Sequence, residues 1–128
     1  MTAPKSSPSA VSARAGRLLA EALVWDAHSC LPLKPGVDCS ELARHRAAGF
    51  DYVSINVGMD FNPVAQCVHV LATFRAWIVA RPAEFRLAGS IADVLAAKAS
   101  GQLAVSFDLE GSDMLRSEER RVGKECGL

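Results

Sequence analysis

Apolar and polar positions recur at two different spacings along this chain, and each change of spacing marks an element. Across 11–22, Leu18, Leu19 and Ala22 make a short apolar face opposite Arg14, Arg17 and Glu21, the roughly 3.6-residue repeat of a helix. An apolar run at 23–27 then predicts a strand, and its end carries Asp26, His28 and Cys30 at a spacing of two before Pro32 closes the element. Alternate residues of an extended chain face the same way, so these three side chains are expected to leave one face of one strand end. Lys34-Pro35-Gly36 reads as a turn. A helix is predicted over 41–48, with Ser40 as N-cap in preference to Asp38 and Gly49 closing it.

Residues 50–58 alternate and are rich in β-branched and aromatic side chains, which predicts a second strand. After a loop, Asn62 as N-cap and Pro63 in the first turn open a long helix to Val79, with Val64, Cys67, Val68, Leu71, Phe74 and Ile78 on its buried face. Residues 85–89 read as a connector or short strand. Ser90 caps a helix over 91–99 that has Asp93 in its first turn and closes at Ser100-Gly101. Residues 103–109 make a third clear strand, which runs out into Glu110-Gly111-Ser112-Asp113.

Strands alternating with helices imply βαβ units and a parallel sheet, and the near-continuous apolar strands suit a sheet covered on both faces. The fold class expected is α/β. Convergent polar residues at strand ends are where α/β barrels keep their chemistry.

Composition narrows the function classes. Lys plus Arg equals Asp plus Glu at 14 each, so there is no electrostatic case for nucleic acid or an anionic membrane. No apolar run approaches the roughly 18–20 residues that span a bilayer. The Ser-, Pro- and Ala-rich start, 1–12, has no apolar core of a secretory signal and is expected to be a disordered lead-in, which makes a cytoplasmic location the default. Cys30, Cys39, Cys67 and Cys126 form no Cys-x-x-Cys pair, so reduced thiols are expected.

The composition breaks at Arg116. Residues 116–126 hold seven of the chain's 28 charges, with acids and bases nearly balanced, which excludes a basic patch. The string reads as a solvated tail or frayed charged helix. It also looks like the in-frame translation of a sequencing-library adapter, the preferred reading, under which 116–128 is a non-native tail and 13–115 is the natural part.

Phosphate-binding glycine loops, a Gly-x-Ser-x-Gly elbow and His-Glu-x-x-His are all missing. Two strand-end clusters remain: Asp26-Ala27-His28-Ser29-Cys30 and Asp108-Leu109-Glu110-Gly111. In a parallel sheet both would lie at the C-terminal edge, where imidazole and carboxylate can hold zinc or a similar cation and turn bound water into hydroxide near neutral pH. The competing readings are a buried, hydrogen-bonded His28 with Cys30 as a small apolar residue, and a Glu110 that caps the following turn. Asp26 could orient His28 or cap the turn. Asn56 and Asp60, near the end of the second strand, are candidates to line a pocket. His45 and His69 read as helix residues away from strand ends, His45 being solvated. Cys39 and Cys67 read as loop and core residues, and Trp25 and Trp77 as core.

These residues carry a resemblance. Trp25-Asp26-Ala27-His28 followed by Leu31-Pro32, the helix from Ser90-Ile91-Ala92-Asp93-Val94 to Gly101, and Val105-Ser106-Phe107-Asp108-Leu109-Glu110-Gly111 resemble the membrane (renal) dipeptidase family of zinc peptidases over about 24–115. The resemblance implies a (β/α)8 TIM-type barrel hydrolysing dipeptides at a two-zinc site. This chain would then be an incomplete barrel, its first three or so parallel strands with helices, since such barrels need about 250 residues. It implies that His28 is a zinc ligand and Glu110 a bridge between two metals. The family has an aspartate at the position of Cys30. A thiolate there is a softer ligand, which puts the second zinc in question. Asp26 would stand behind the ligands, with no further catalytic residue identified. The implied partners are a dipeptide or similar small amide and, for a full-length parent, a homodimer. The truncated chain itself is expected to be inactive. A different amidohydrolase-type metal hydrolase, or a non-catalytic barrel relative without its metal pair, are the alternatives.

Overall fold

A computed structural model describes residues 12–113. The expected lead-in, apart from Ser12, and the expected tail with Cys126 lie outside the described residues. In chain order the elements are α1 (Ala13–Glu21), β1 (Trp25–Cys30), α2 (Leu42–Ala47), β2 (Tyr52–Met59), α3 (Val64–Val79), β3 (Phe85–Leu87), α4 (Ile91–Ser100) and β4 (Leu103–Glu110). The four strands form one sheet in the order β1-β2-β4-β3, and every pair is parallel. The α/β expectation therefore holds, with one strand more than the three clear ones. The connector or short strand expected at 85–89 is β3, which among the described residues pairs only with the start of β4, from Leu103 to Val105.

Two helices cover one face of the sheet. Val53, Ile55, Val57 and Val105 point toward Leu42 of α2 and Val70, Phe74 and Ile78 of α3, all buried. Each such side chain contributes roughly 1.5–3 kcal/mol of apolar burial. The buried side of α3 is rotated from the one expected: Val70 is inside, while Val64 and Val68 are half exposed. Helix α4 packs on the other face, at the N-terminal end of the strands, where Val94 and Ala97 meet Tyr52 and Ala104. The remainder of that second face carries polar side chains, and it is the face that matters below. Leu18 and Leu19, the expected apolar face of α1, are exposed among the described residues. No helix among the described residues is long and apolar enough to cross a membrane.

Two caps depart from expectation. Ser40 does not cap α2; its backbone N–H instead donates to Asp38 Oδ1, which makes a local turn. Asn62 does not cap α3, because its Oδ1 accepts from the Met59 N–H at 2.9 Å and closes the preceding loop. The first strand also runs further than expected, to Cys30.

The cap on α4 is as expected. Ser90 Oγ accepts from the Asp93 N–H, and the Asp93 carboxylate accepts from the Ser90 hydroxyl and the Gly89 N–H. The Ser90 hydroxyl, and after it the Gly89 N–H, hold the Asp93 carboxyl below the usual carboxylate range. A lowered folded-state value means stability present above the ordinary carboxylate pKa and lost as pH falls through the folded one. Ser90→Ala is expected to cost about 1 kcal/mol in urea denaturation at neutral pH, with a smaller difference in acid.

Candidate metal centre

The C-terminal edge of the sheet is irregular twice, and both irregularities serve the same place. Between β1 and β2 the register slips, from Asp26↔Val53 to Ser29↔Ile55. Three steps on β1 thus match two on β2, a bulge at Ala27-His28. Between β2 and β4 it slips again, from Asn56↔Asp108 to Met59↔Glu110. Bulges re-aim side chains, and here the first one breaks the simple alternation on β1. Asp26 and Ser29 turn to the helix-covered face, whereas His28 and Cys30 turn to the polar face.

His28 is the centre of the cluster. Its Nδ1 lies 2.8 Å from Asp108 Oδ1. Its Nε2 lies 3.5 Å from Cys30 Sγ and 3.6 Å from Glu110 Oε2. One ligand atom from each of His28, Cys30 and Glu110 lies within 4.8 Å of the other two. Asn56, fully buried, directs its Nδ2 to Glu110 Oε2 at 3.3 Å and accepts from the Gly58 N–H at 2.8 Å. The Asn56 amide thus ties the Glu110 carboxylate to the middle strand. Imidazole, thiol and carboxylate are all donors that zinc accepts, and three protein ligands leave a further position for water or substrate. A carboxylate accepts but does not donate, so the Asp108 contact puts the proton on Nδ1 and leaves the Nε2 lone pair facing Cys30 and Glu110. The donor set and its tautomer fit a divalent cation.

Residues expected in the site are placed unequally. His28, Cys30 and Glu110 are brought together. Asp26 is not beside the His28 ring: its Oδ1 accepts from the His28 backbone N–H at 3.2 Å, and its Oδ2 lies 3.6 Å from His45 Nε2. The carboxylate at His28 Nδ1 is Asp108, from 80 residues further along the chain. Its position two residues before Glu110 on one strand was the available signal. Asn56 lines the site. Asp60 lies beyond it, accepting from the Asp113 N–H at 2.9 Å.

His45 is not solvated as expected. It is half-buried, and its Nε2 lies 3.3 Å from Ser29 Oγ as well as near Asp26. Ser29, His45 and Asp26 do not make a catalytic triad, because hydroxyl and carboxylate meet the same ring nitrogen instead of opposite ones. They join α2 to β1.

The polar face continues below the site. The Ser54 hydroxyl donates to Asp108 Oδ2 at 2.6 Å, the Ser106 hydroxyl to Ser54 Oγ at 3.3 Å, and Tyr52 bonds Ser106. A cavity of about 370 Å³ under α4, lined by Trp25, Tyr52, Ile91 and Ser106 among others, lies at the far end of this column, away from the ligand atoms.

No protein-family model matches the sequence, and no curated protein matches it significantly. Among solved structures, the fold is similar to that of an amidohydrolase from Pseudomonas aeruginosa, with a TM-score of 0.65 and 16% sequence identity over 88% of this chain and 34% of that chain. The parallel sheet with its helices thus matches part of a TIM-barrel-like amidohydrolase fold. The chain spans about a third of that protein's length.

Proposed function

We propose that this chain is the first part of a metal-dependent amide hydrolase barrel, with dipeptides as the substrate class. The observation that carries the reading is the convergence of His28, Cys30 and Glu110 at the C-terminal edge of a parallel sheet. His28 and Glu110 would hold the cation, with Cys30 as third ligand. When bound, a divalent metal of this kind supplies hydroxide near neutral pH and polarises the substrate carbonyl. The chain's own residues then have definite tasks. Asp108 holds His28 in the tautomer that offers Nε2, and Asn56 steadies Glu110. Further ligands and the substrate-binding groups would come from strands that a complete barrel adds. Zinc fits the nitrogen and sulfur donors; a second ion is disfavoured by Cys30, a softer ligand than the aspartate that the resemblance implies at that position.

The fold likeness to an amidohydrolase supports a barrel hydrolase, and the dipeptide class rests on the sequence motifs around His28 and Glu110. Assay of a longer parent protein against a panel of dipeptides, before and after chelation, tests the reading. Chelator-sensitive dipeptide turnover is expected. Bound zinc with turnover of other amides alone would keep the hydrolase and remove the dipeptidase.

A second arrangement uses the same atoms. Cys30 Sγ and Asp108 Oδ1 meet opposite nitrogens of His28, the order of a thiol nucleophile, its base and an orienting carboxylate. The metal reading is favoured because Glu110, which has no part in a thiol set, is placed at the same Nε2 and held there by Asn56, an arrangement of two acceptors that a shared cation satisfies. Zinc is therefore expected to protect Cys30 from iodoacetamide, read by peptide mass mapping. Buried Cys67 and Cys39, whose thiol burial pushes up to about 11, serve as unreactive references. Alkylation of Cys30 at an unchanged rate with saturating zinc would remove Cys30 from the ligand set.

A further inference from the structure

The polar face of the sheet holds a column of hydroxyl groups where apolar packing would be the simpler solution. Tyr52, Ser54 and Ser106 stand one above another on β2 and β4, and the column ends at Asp108. Ser54 is buried, at 5% exposure. Buried hydroxyls destabilise unless each is hydrogen-bonded, and no buried side-chain polar atom among the described residues lacks a partner. The proton assignments run in one direction. Ser54 spends its proton on Asp108, and Ser106 spends its own on Ser54, so Tyr52 must donate to Ser106. Every donor in the column therefore points toward Asp108.

We infer that Ser54 is a positioning residue that sets the tautomer of His28 through Asp108, with Ser106 and Tyr52 fixing the Ser54 hydroxyl from behind. The Asp108 carboxylate is held at both oxygens, by Ser54 at 2.6 Å and by the His28 ring at 2.8 Å. With one oxygen fixed from β2, the other cannot swing away from Nδ1. The imidazole is thereby held with Nδ1 protonated and Nε2 free to bind. Without Ser54, Asp108 keeps its charge but loses the bond that fixes its plane, and water can compete for either oxygen. The usefulness of that tautomer to a cation rests on the metal reading above; the tautomer itself does not.

Partners behind a ligating histidine typically change metal affinity by roughly 10–100-fold when removed. The test is nitrogen-15 NMR of the His28 ring in the metal-free chain at mildly alkaline pH, with zinc affinity measured in parallel. The chain as it stands is expected to show the Nδ1–H form. Ser54→Ala is expected to give a mixture of both tautomers and about tenfold weaker zinc binding. Ser54→Thr, which keeps the hydroxyl, is expected to restore both, a rescue that loss of packing would not give. An unchanged His28 tautomer in Ser54→Ala overturns the inference, whatever zinc does. A tautomer shift in a chain that binds no zinc supports the positioning role and removes the metal reading alone.

Discussion

Replacing His28 by alanine is expected to lower zinc affinity by more than about 100-fold, beyond the roughly 10–100-fold that loss of a partner behind a ligand costs. The reason is its central place. Nε2 is within 3.5 Å of Cys30 Sγ and 3.6 Å of Glu110 Oε2. Removing the ring leaves a thiol and a carboxylate on two different strands, with the Asn56 amide, which cannot ligate through its N–H groups, between them. The same substitution is expected to do little to stability. The side chains of His28 and Asp108 are 43% and 25% exposed, so water can replace the imidazole at Asp108, and exposed ion pairs contribute only about 0–1 kcal/mol. Calorimetric zinc titration beside metal-free urea denaturation separates the two effects. A large loss of stability with unchanged zinc affinity would make His28 a structural histidine, the competing reading of the sequence.

Gly58→Ala is expected to act first on stability, with a loss of about 1–3 kcal/mol, the range for overpacking a filled core. Gly58 is buried near the end of β2, and a Cβ there would fall 2.3 Å from Cys67 Sγ and 3.3 Å from Leu109 Cδ2. Cys67 is itself 5% exposed on α3, so it has little room to retreat. The close approach of α3 to β2 also bears on the site, because the Gly58 N–H holds the Asn56 amide whose other end meets Glu110. Gly58→Ala should therefore weaken zinc binding as well. Cys67→Ala on the same chain removes the clashing sulfur and is expected to recover part of both losses. Full stability in Gly58→Ala would show that α3 yields easily, and would separate helix packing from the site.

The elements were readable in the sequence because their periodicity is strong. Strands β2 and β4 alternate, β2 is rich in β-branched residues, and Ser90 with Asp93 marks the start of α4 unambiguously. The buried side of α3 was not readable, since Val64, Val68 and Val70 are equally apolar and only the crossing of α3 over β2 selects Val70. The place of β3 was equally hidden: three residues carry too little pattern to say which strand they pair with.

At the site, the spacing of His28 and Cys30 and the strand-end position of Glu110 pointed to one edge. The spacing misled over Asp26, because a rule of alternation fails across a bulge and nothing in Asp26-Ala27-His28 announces one. Asp108 takes the place beside the ring for the same reason that it was hard to see. Its pairing with His28 depends on strand order, which brings β1, β2 and β4 side by side. The Tyr52, Ser54 and Ser106 column likewise exists only once β2 and β4 are in register.

Cobalt(II) titration of the metal-free chain, followed by absorption, tests most directly whether His28, Cys30 and Glu110 hold one cation together. A saturable thiolate-to-cobalt charge-transfer band is expected at one equivalent, absent in Cys30→Ser and in His28→Ala and weakened in Glu110→Gln. Absence of any such band in the unsubstituted chain, or its persistence in His28→Ala, would contradict a shared metal centre.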